Sequence, residues 1–311
     1  MKPGIKIRNW HWEITRRCNL KCLHCIIGDY SGYEMTTEQA LNAISSIVKL
    51  GGERLFITGG EPLMRDDLCK IIRRAHDSGL AVSLITNGTK INKLFLKKVK
   101  GYLQNLAVSI DGESLVQDKI RGKGVYNKCV AAIKLITGSG IENSVYVTIQ
   151  KLNENHLGDL VEKMIALGVR SFHFNEINPE GRARDHKELL LTLEKTAERA
   201  RLIFLQLQNE IVIKSFLSDS KCSISRNEMY LQSNGNIFAC VEMAFKMPQK
   251  SIANILIHGI EELKEGVNSL FSKIECLKTD RCCYTLFFSP GISICLNENW
   301  DCPVIRRLDN G

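Results

Sequence analysis

Between residue 10 and about residue 210, short apolar runs alternate with longer stretches in which apolar residues recur every three or four positions. The short runs fall at 10–15, 54–58, 81–86, 106–110, 145–149 and 171–175, and their apolar character is that of parallel strands covered on both faces. The periodic stretches at 37–50, 66–78, 92–100, 127–137, 155–167 and 188–208 predict the intervening helices. Thr36 or Thr37 ahead of Glu38 and Gln39 reads as a capped helix start, and Gly51, Gly79 and Gly168 follow three of the predicted ends. Six strand-helix units make an α/β chain with too few strands to close a barrel of eight. The expected architecture is a partial (β/α)6 TIM-like barrel, open and curved, with its site at the carboxyl ends of the strands.

Beyond residue 213 the texture changes. Seven of the twelve cysteines fall in 214–311, and Ser233-Asn234-Gly235-Asn236 signals a hairpin. The expected division is a core barrel over 1–213 and a small cysteine-rich extension over 214–311. With no internal repeat, low-complexity segment or proline-rich linker between them, the two are expected to pack together.

Composition narrows the class. A chain of 311 residues with 44% hydrophobic and 24% charged residues has the material for a folded enzyme and excludes general disorder. No run of eighteen apolar residues occurs and the first dozen residues are too polar for a signal peptide, so a cytoplasmic protein without membrane partners is expected. The net charge of +8 comes from lysines and arginines scattered over helices. Without a dense basic stripe interleaved with aromatics, nucleic acid is not an expected partner. Disulfides explain twelve cysteines poorly in a reducing compartment, which leaves metal or cluster ligation.

Cys18, Cys22 and Cys25 lie within eight residues, directly after the first predicted strand. Three thiolates so close can hold three irons of a four-iron cubane and leave the fourth iron open to a small molecule, whereas an electron carrier normally supplies four. A zinc site is the alternative for spaced cysteines, although no second local pair accompanies them. After the second strand comes Thr58-Gly59-Gly60-Glu61-Pro62, where glycines permit close backbone approach and Glu61 can accept from an ammonium group.

On Cys18-x3-Cys22-x2-Cys25 in the loop after the first strand, the sequence resembles the radical S-adenosylmethionine (SAM) superfamily over residues 10 to 210. His24 stands where that motif usually has an aromatic residue. The resemblance implies a 4Fe-4S cluster on the three cysteines and SAM bound at its open iron. Reductive cleavage would then give methionine and a 5'-deoxyadenosyl radical that abstracts a substrate hydrogen. It implies a role for Gly59, Gly60 and Glu61 in holding SAM's amino group. Asn87 in Thr86-Asn87-Gly88 and Ser109 in Ser109-Ile110-Asp111-Gly112 become candidate polar contacts to SAM, and Arg121 a candidate partner of its carboxylate. Turn chemistry or simple solvation is the alternative for each of these three. Gln150, Asn175, Glu176 and Asn178, after the fifth and sixth strands, are candidate substrate contacts. Cys69 and Cys129, on predicted helices, read as small buried hydrophobes.

Cys222-x12-Gly235-x4-Cys240 resembles the opening of a SPASM or twitch extension, which carries auxiliary iron-sulfur clusters. Cys276, Cys282, Cys283, Cys295 and Cys302 complete the candidate ligands, but their spacing departs from the usual SPASM run. Seven cysteines allow one full auxiliary cluster, or two with one iron open. The resemblance implies an oxidoreductase that matures a ribosomally made peptide or protein. Its expected partners are a peptide or small-molecule substrate, an electron donor such as flavodoxin or ferredoxin, and a separate leader-peptide-binding protein, since only about ten residues precede the first strand. Trp12-Glu13-Ile14-Thr15-Arg16-Arg17-Cys18 also resembles haem-biosynthesis members of the superfamily, so tetrapyrrole side-chain modification stands as an alternative, as does a non-catalytic electron-transfer protein.

Overall fold

The computed structural model describes residues 7–207, 212–215, 228–246 and 248–275. Six parallel strands, β1 (Asn9–Glu13), β2 (Arg54–Thr58), β3 (Ala81–Thr86), β4 (Asn105–Ser109), β5 (Asn143–Thr148) and β6 (Ser171–Asn175), pair in chain order. A seventh, β7 (Val212–Ser215), adds parallel to β6 beyond the six units expected from the sequence. Among the described residues the sheet ends at β7 on one side and does not close, giving the expected α/β partial barrel.

The connecting helices α1 (Thr37–Lys49), α2 (Leu68–Asp77) and α3 (Lys93–Val99) follow β1, β2 and β3. Helix α1 starts as the sequence suggested: Gln39 N–H donates to the Thr36 hydroxyl at 3.3 Å, and Thr36 N–H donates to Gln39 Oε1 at 2.9 Å. After β4 come α4 (Ser114–Arg121) and α5 (Val125–Ser139), then α6 (Leu157–Ala166) after β5 and α7 (Leu193–Leu207) after β6. The apolar pattern did not predict α4. Its buried positions are Gln117, Ile120 and Arg121, two of them polar, so no hydrophobic stripe announces it. Trp10, Trp12, Leu55, Ile57, Leu84, Phe172 and Phe174 are fully or almost fully buried in the core that these helices share with the strands.

The hairpin predicted at Ser233-Asn234-Gly235-Asn236 is present between β8 (Glu228–Leu231) and β9 (Asn236–Phe238), with Gly235 at φ 92°. Its placement was not foreseen. Strand β8 pairs parallel to β1, and with β10 (Ala253–Asn254) the sheet runs β10-β9-β8-β1-β2-β3-β4-β5-β6-β7. The hairpin thus continues the barrel sheet, and the boundary drawn at 213/214 falls inside β7. Helices α8 (Val241–Lys246) and α9 (Ile260–Glu275) follow on this side.

A buried carboxylate joins the hairpin to β1. Glu13 accepts from Arg16 Nε at 3.0 Å, from the Tyr230 hydroxyl at 3.0 Å and from the Ser233 hydroxyl at 3.4 Å. Burial pushes its pKa above the ordinary 4.5, although Arg16, Tyr230 and Ser233 oppose the rise. Tyr230→Phe removes a donor from this carboxylate, and urea unfolding is expected to show a loss of about 1.5–3 kcal/mol.

Candidate iron-sulfur and SAM site

Beyond β1, the chain turns into a loop whose backbone is held by the end of β2. Gly60 N–H donates to Thr15 O at 2.7 Å and Glu61 N–H to Arg17 O at 2.8 Å. The contact leaves no room for side chains: a Cβ on Gly59 would lie 2.3 Å from Thr15 O, and one on Gly60 2.3 Å from Arg17 O. The two glycines therefore admit the backbone that leads into Cys18. Gly60→Ala must displace that backbone, and iron and acid-labile sulfide per chain after reconstitution are expected to fall well below wild type.

Glu61 is fully buried and accepts three hydrogen bonds, from the Thr86 hydroxyl at 2.6 Å, Asn87 N–H at 2.7 Å and Leu63 N–H at 3.1 Å. Burial raises its pKa, against the pull of those donors and of Lys90. With no accessible surface left on it, the carboxylate expected to accept from an ammonium group instead ties the end of β2 to the end of β3. Asn87 donates through Nδ2 to Asn19 Oδ1 at 3.0 Å and stands 3.9 Å from Cys18 Sγ. Asn19 reaches Thr89 at 2.8 Å, so the end of β3 is tied to the cysteine loop.

Cys18, Cys22 and Cys25 share this loop at the mouth of the barrel. Leu20 N–H points at Cys18 Sγ from 3.4 Å, an N–H···S contact of the kind that supports a cluster thiolate. Burial raises the pKa of Cys18, and pushes that of Cys22 up to about 11; the charge of Cys25 adds to the rise at both, and that of Cys18 to the rise at Cys22. Three neighbouring thiols on a half-buried loop, with a backbone donor already set on one sulfur, fit a 4Fe-4S cluster with one iron left free.

The floor beside Cys22 is a charged pair that the sequence did not reveal as a pair. Arg121 Nε donates to Asp111 Oδ2 at 2.6 Å, both side chains being buried. Thr148 N–H donates to Asp111 Oδ1 at 2.9 Å, and His24 Nε2 stands 3.7 Å from Oδ2. Burial favours the neutral acid, but Arg121, His24 and the hydrogen bonds hold Asp111 below its ordinary 3.8. Burial likewise works against the charge of Arg121, and Asp111 outweighs it to leave the pKa raised. Burial also lowers His24 to about 4, so its ring is neutral near pH 7, and its buried Nδ1 has no hydrogen-bond partner among the described residues. Arg121, expected to be available to a carboxylate, is thus already engaged through Nε; its two terminal nitrogens are additional donors.

Ser109 ends β4 half-buried, in register with Tyr146 of β5. Gln150 is wholly buried, its backbone N–H bound by Asn153 Oδ1 at 2.8 Å, and its Oε1 has no partner among the described residues. Cys129 is buried as expected, its thiol donating to Asn87 O at 3.3 Å, while Cys69 is only partly buried. Cys240 is described, at the start of α8; Cys222, Cys276, Cys282, Cys283, Cys295 and Cys302 lie outside the described residues. No described helix is long and apolar enough to cross a membrane.

Residues 12–164 match the family model for the Radical SAM superfamily. Among curated proteins, the chain is 31% identical over 211 residues to the AdoMet-dependent heme synthase of Methanosarcina barkeri, covering 65% of this chain and 59% of that one. It is 30% identical over 214 residues to the antilisterial bacteriocin subtilosin biosynthesis protein AlbA of Bacillus subtilis, covering 65% of this chain and 45% of that one. The chain therefore spans about half the length of these curated relatives. Among solved structures, Streptococcus suis SuiB bound to S-adenosylmethionine superposes with a TM-score of 0.76 at 13% identity, over 91% of this chain and 74% of that one, a likeness of fold.

Proposed function

Because the chain belongs to the radical SAM superfamily, we propose that it cleaves SAM reductively and uses the resulting radical chemistry to mature a ribosomally made peptide or protein. One observation carries the reading. The loop of Cys18, Cys22 and Cys25 sits at the barrel mouth, held by the glycines of Gly59-Gly60-Glu61 and by Asn87. In this reading the three cysteines hold the 4Fe-4S cluster, and the cluster with SAM supplies a carbon-centred radical that abstracts hydrogen. The chain's own part is to bind and orient. Glu61 fixes the backbone of Gly59-Gly60-Glu61 against Asn87 at the site proposed for SAM's amino group, and the two terminal nitrogens of Arg121 are donors for its carboxylate. Gly59, Gly60, Asn87 and Ser109 complete the proposed pocket, and the buried surroundings keep water from the reacting atoms.

Cys240 with Cys222, Cys276, Cys282, Cys283, Cys295 and Cys302 would supply one or two auxiliary clusters. The expected partners are the peptide, a flavodoxin- or ferredoxin-type electron donor and a separate leader-peptide-binding protein. Likeness to AlbA and to SuiB, which has also been solved with its precursor peptide SuiA, supports the peptide reading. The second reading is tetrapyrrole side-chain modification, favoured by the 31% identity to a heme synthase. To separate the two, the reconstituted enzyme is offered genomically adjacent short peptides and, in parallel, iron-coproporphyrin, with products read by mass spectrometry. A mass change confined to a peptide supports the proposal, and one confined to the porphyrin replaces it.

A further inference from the structure

Between β6 and α7 the chain makes two short 3-10 turns, Gly181–Asp185 and Lys187–Leu189, and the first lies against the cysteine loop. Arg182 reaches across. Its Nε donates to Cys22 O at 2.9 Å, Nη1 to Gly28 O at 2.6 Å and Nη2 to the Tyr30 hydroxyl at 2.5 Å. The guanidinium also lies over the Tyr30 ring, 4.9 Å from its centre, and the Tyr30 hydroxyl donates to Leu20 O. Arg182 N–H donates to Cys25 O at 2.9 Å, so this one residue binds the carbonyls of two of the three cysteines.

The backbone is shaped for the contact. Gly181 sits at φ 60°, and a Cβ there would lie 2.2 Å from Ile26 O; one on Gly28 would lie 2.8 Å from Gly181 Cα. Leu23 packs with Ile177, Ala183 and Leu189 beside the clasp. The loop from Cys18 to Tyr30 contains neither helix nor strand, so its carbonyls have no ladder to join, and Arg182 supplies donors from 152 to 160 residues away.

We propose that Arg182 is a positioning residue for the cluster, a clasp that sets the shape of the cysteine loop and fixes a positive charge beside it. The inference rests on Cys18, Cys22 and Cys25 being the cluster ligands. A planar fork is required to meet two carbonyls and a hydroxyl at once, and lysine cannot reproduce it.

The test compares wild type, Cys18→Ala, Arg182→Gln, Arg182→Lys and Gly181→Ala after anaerobic reconstitution with iron and sulfide. Thermal melting checks folding. The readouts are the rate of iron loss to a chelator, the SAM-responsive electron paramagnetic resonance signal of the reduced cluster, and its midpoint potential. Iron that wild type holds and Cys18→Ala lacks establishes the underlying ligand assignment; equal iron in the two overturns that assignment and leaves the clasp without an object. Given the assignment, Arg182→Gln is expected to hold that iron about 10- to 100-fold less tightly, the usual effect of removing an outer support of a metal site. Its potential is expected to fall, because a fixed cation favours the reduced cluster. Arg182→Lys is expected to keep the potential yet still shed iron, and Gly181→Ala to shed iron with Arg182 intact. Iron retention and spectra equal to wild type in all three variants overturn the clasp. If Arg182→Gln does not fold, the other two decide in the same way.

Discussion

Asp111→Asn is expected to destabilise the fold by about 3–5 kcal/mol, because it leaves the buried Arg121 without its counter-charge. The geometry makes the loss severe. Arg121 and Asp111 meet at 2.6 Å with both side chains buried, and Asp111 also anchors β5 through Thr148 N–H. The carboxyl's pKa lies below 3.8 in the fold, so the folded chain binds fewer protons than the unfolded chain as pH falls through that value. Its stabilising contribution is therefore present above pH 3.8 and lost as pH drops toward the folded pKa. Urea titrations from pH 7 to pH 3 should show wild type losing stability at the acid end and the variant losing less there. His24 and Arg121 face the same carboxylate, and Cys22 feels its charge, so the variant is also expected to disturb the cysteine loop.

Cys18→Ala is expected to abolish SAM cleavage altogether, whereas Cys240→Ala should retain uncoupled cleavage and lose modified product. Cys18 is the thiol that Leu20 N–H and Asn87 already approach, and two thiolates cannot hold a cubane as three can. Cys240 belongs to the hairpin side of the sheet, at the start of α8. In the proposed reading Cys240 serves an auxiliary cluster, so its loss leaves the loop at β1 untouched. The check is 5'-deoxyadenosine and product measured side by side for the two variants. Equal loss of cleavage in both would contradict separate roles.

Strands β2, β3 and β6 begin and end where the expected runs do. Strands β1, β4 and β5 begin one or two residues earlier than the apolar pattern suggests, each on an asparagine. Asn9 accepts from Arg54 at 2.6 Å and Asn105 donates to Ser144 at 2.8 Å, strand-to-strand bonds that no hydrophobic pattern registers. The cysteine spacing and Gly59-Gly60-Glu61 were legible because their chemistry lies in adjacent residues. Their structural role was less so, since the glycines make room for the cysteine loop's own backbone. Asp111 and Arg121 appeared in separate motifs, and the unpredicted α4 turns one toward the other. Glu13 meets Tyr230 across 217 residues, and Arg182 read as one charge among many on a basic chain. Only a glycine directly before it hinted at close backbone contact.

The most direct test of radical SAM chemistry in this chain is 5'-deoxyadenosine formation by anaerobically reconstituted protein given SAM and dithionite, with Cys18→Ala as the control. Wild type is expected to form 5'-deoxyadenosine and the variant none. Cleavage undiminished in Cys18→Ala, or absent from wild type with its clusters filled and peptide present, would contradict that expectation.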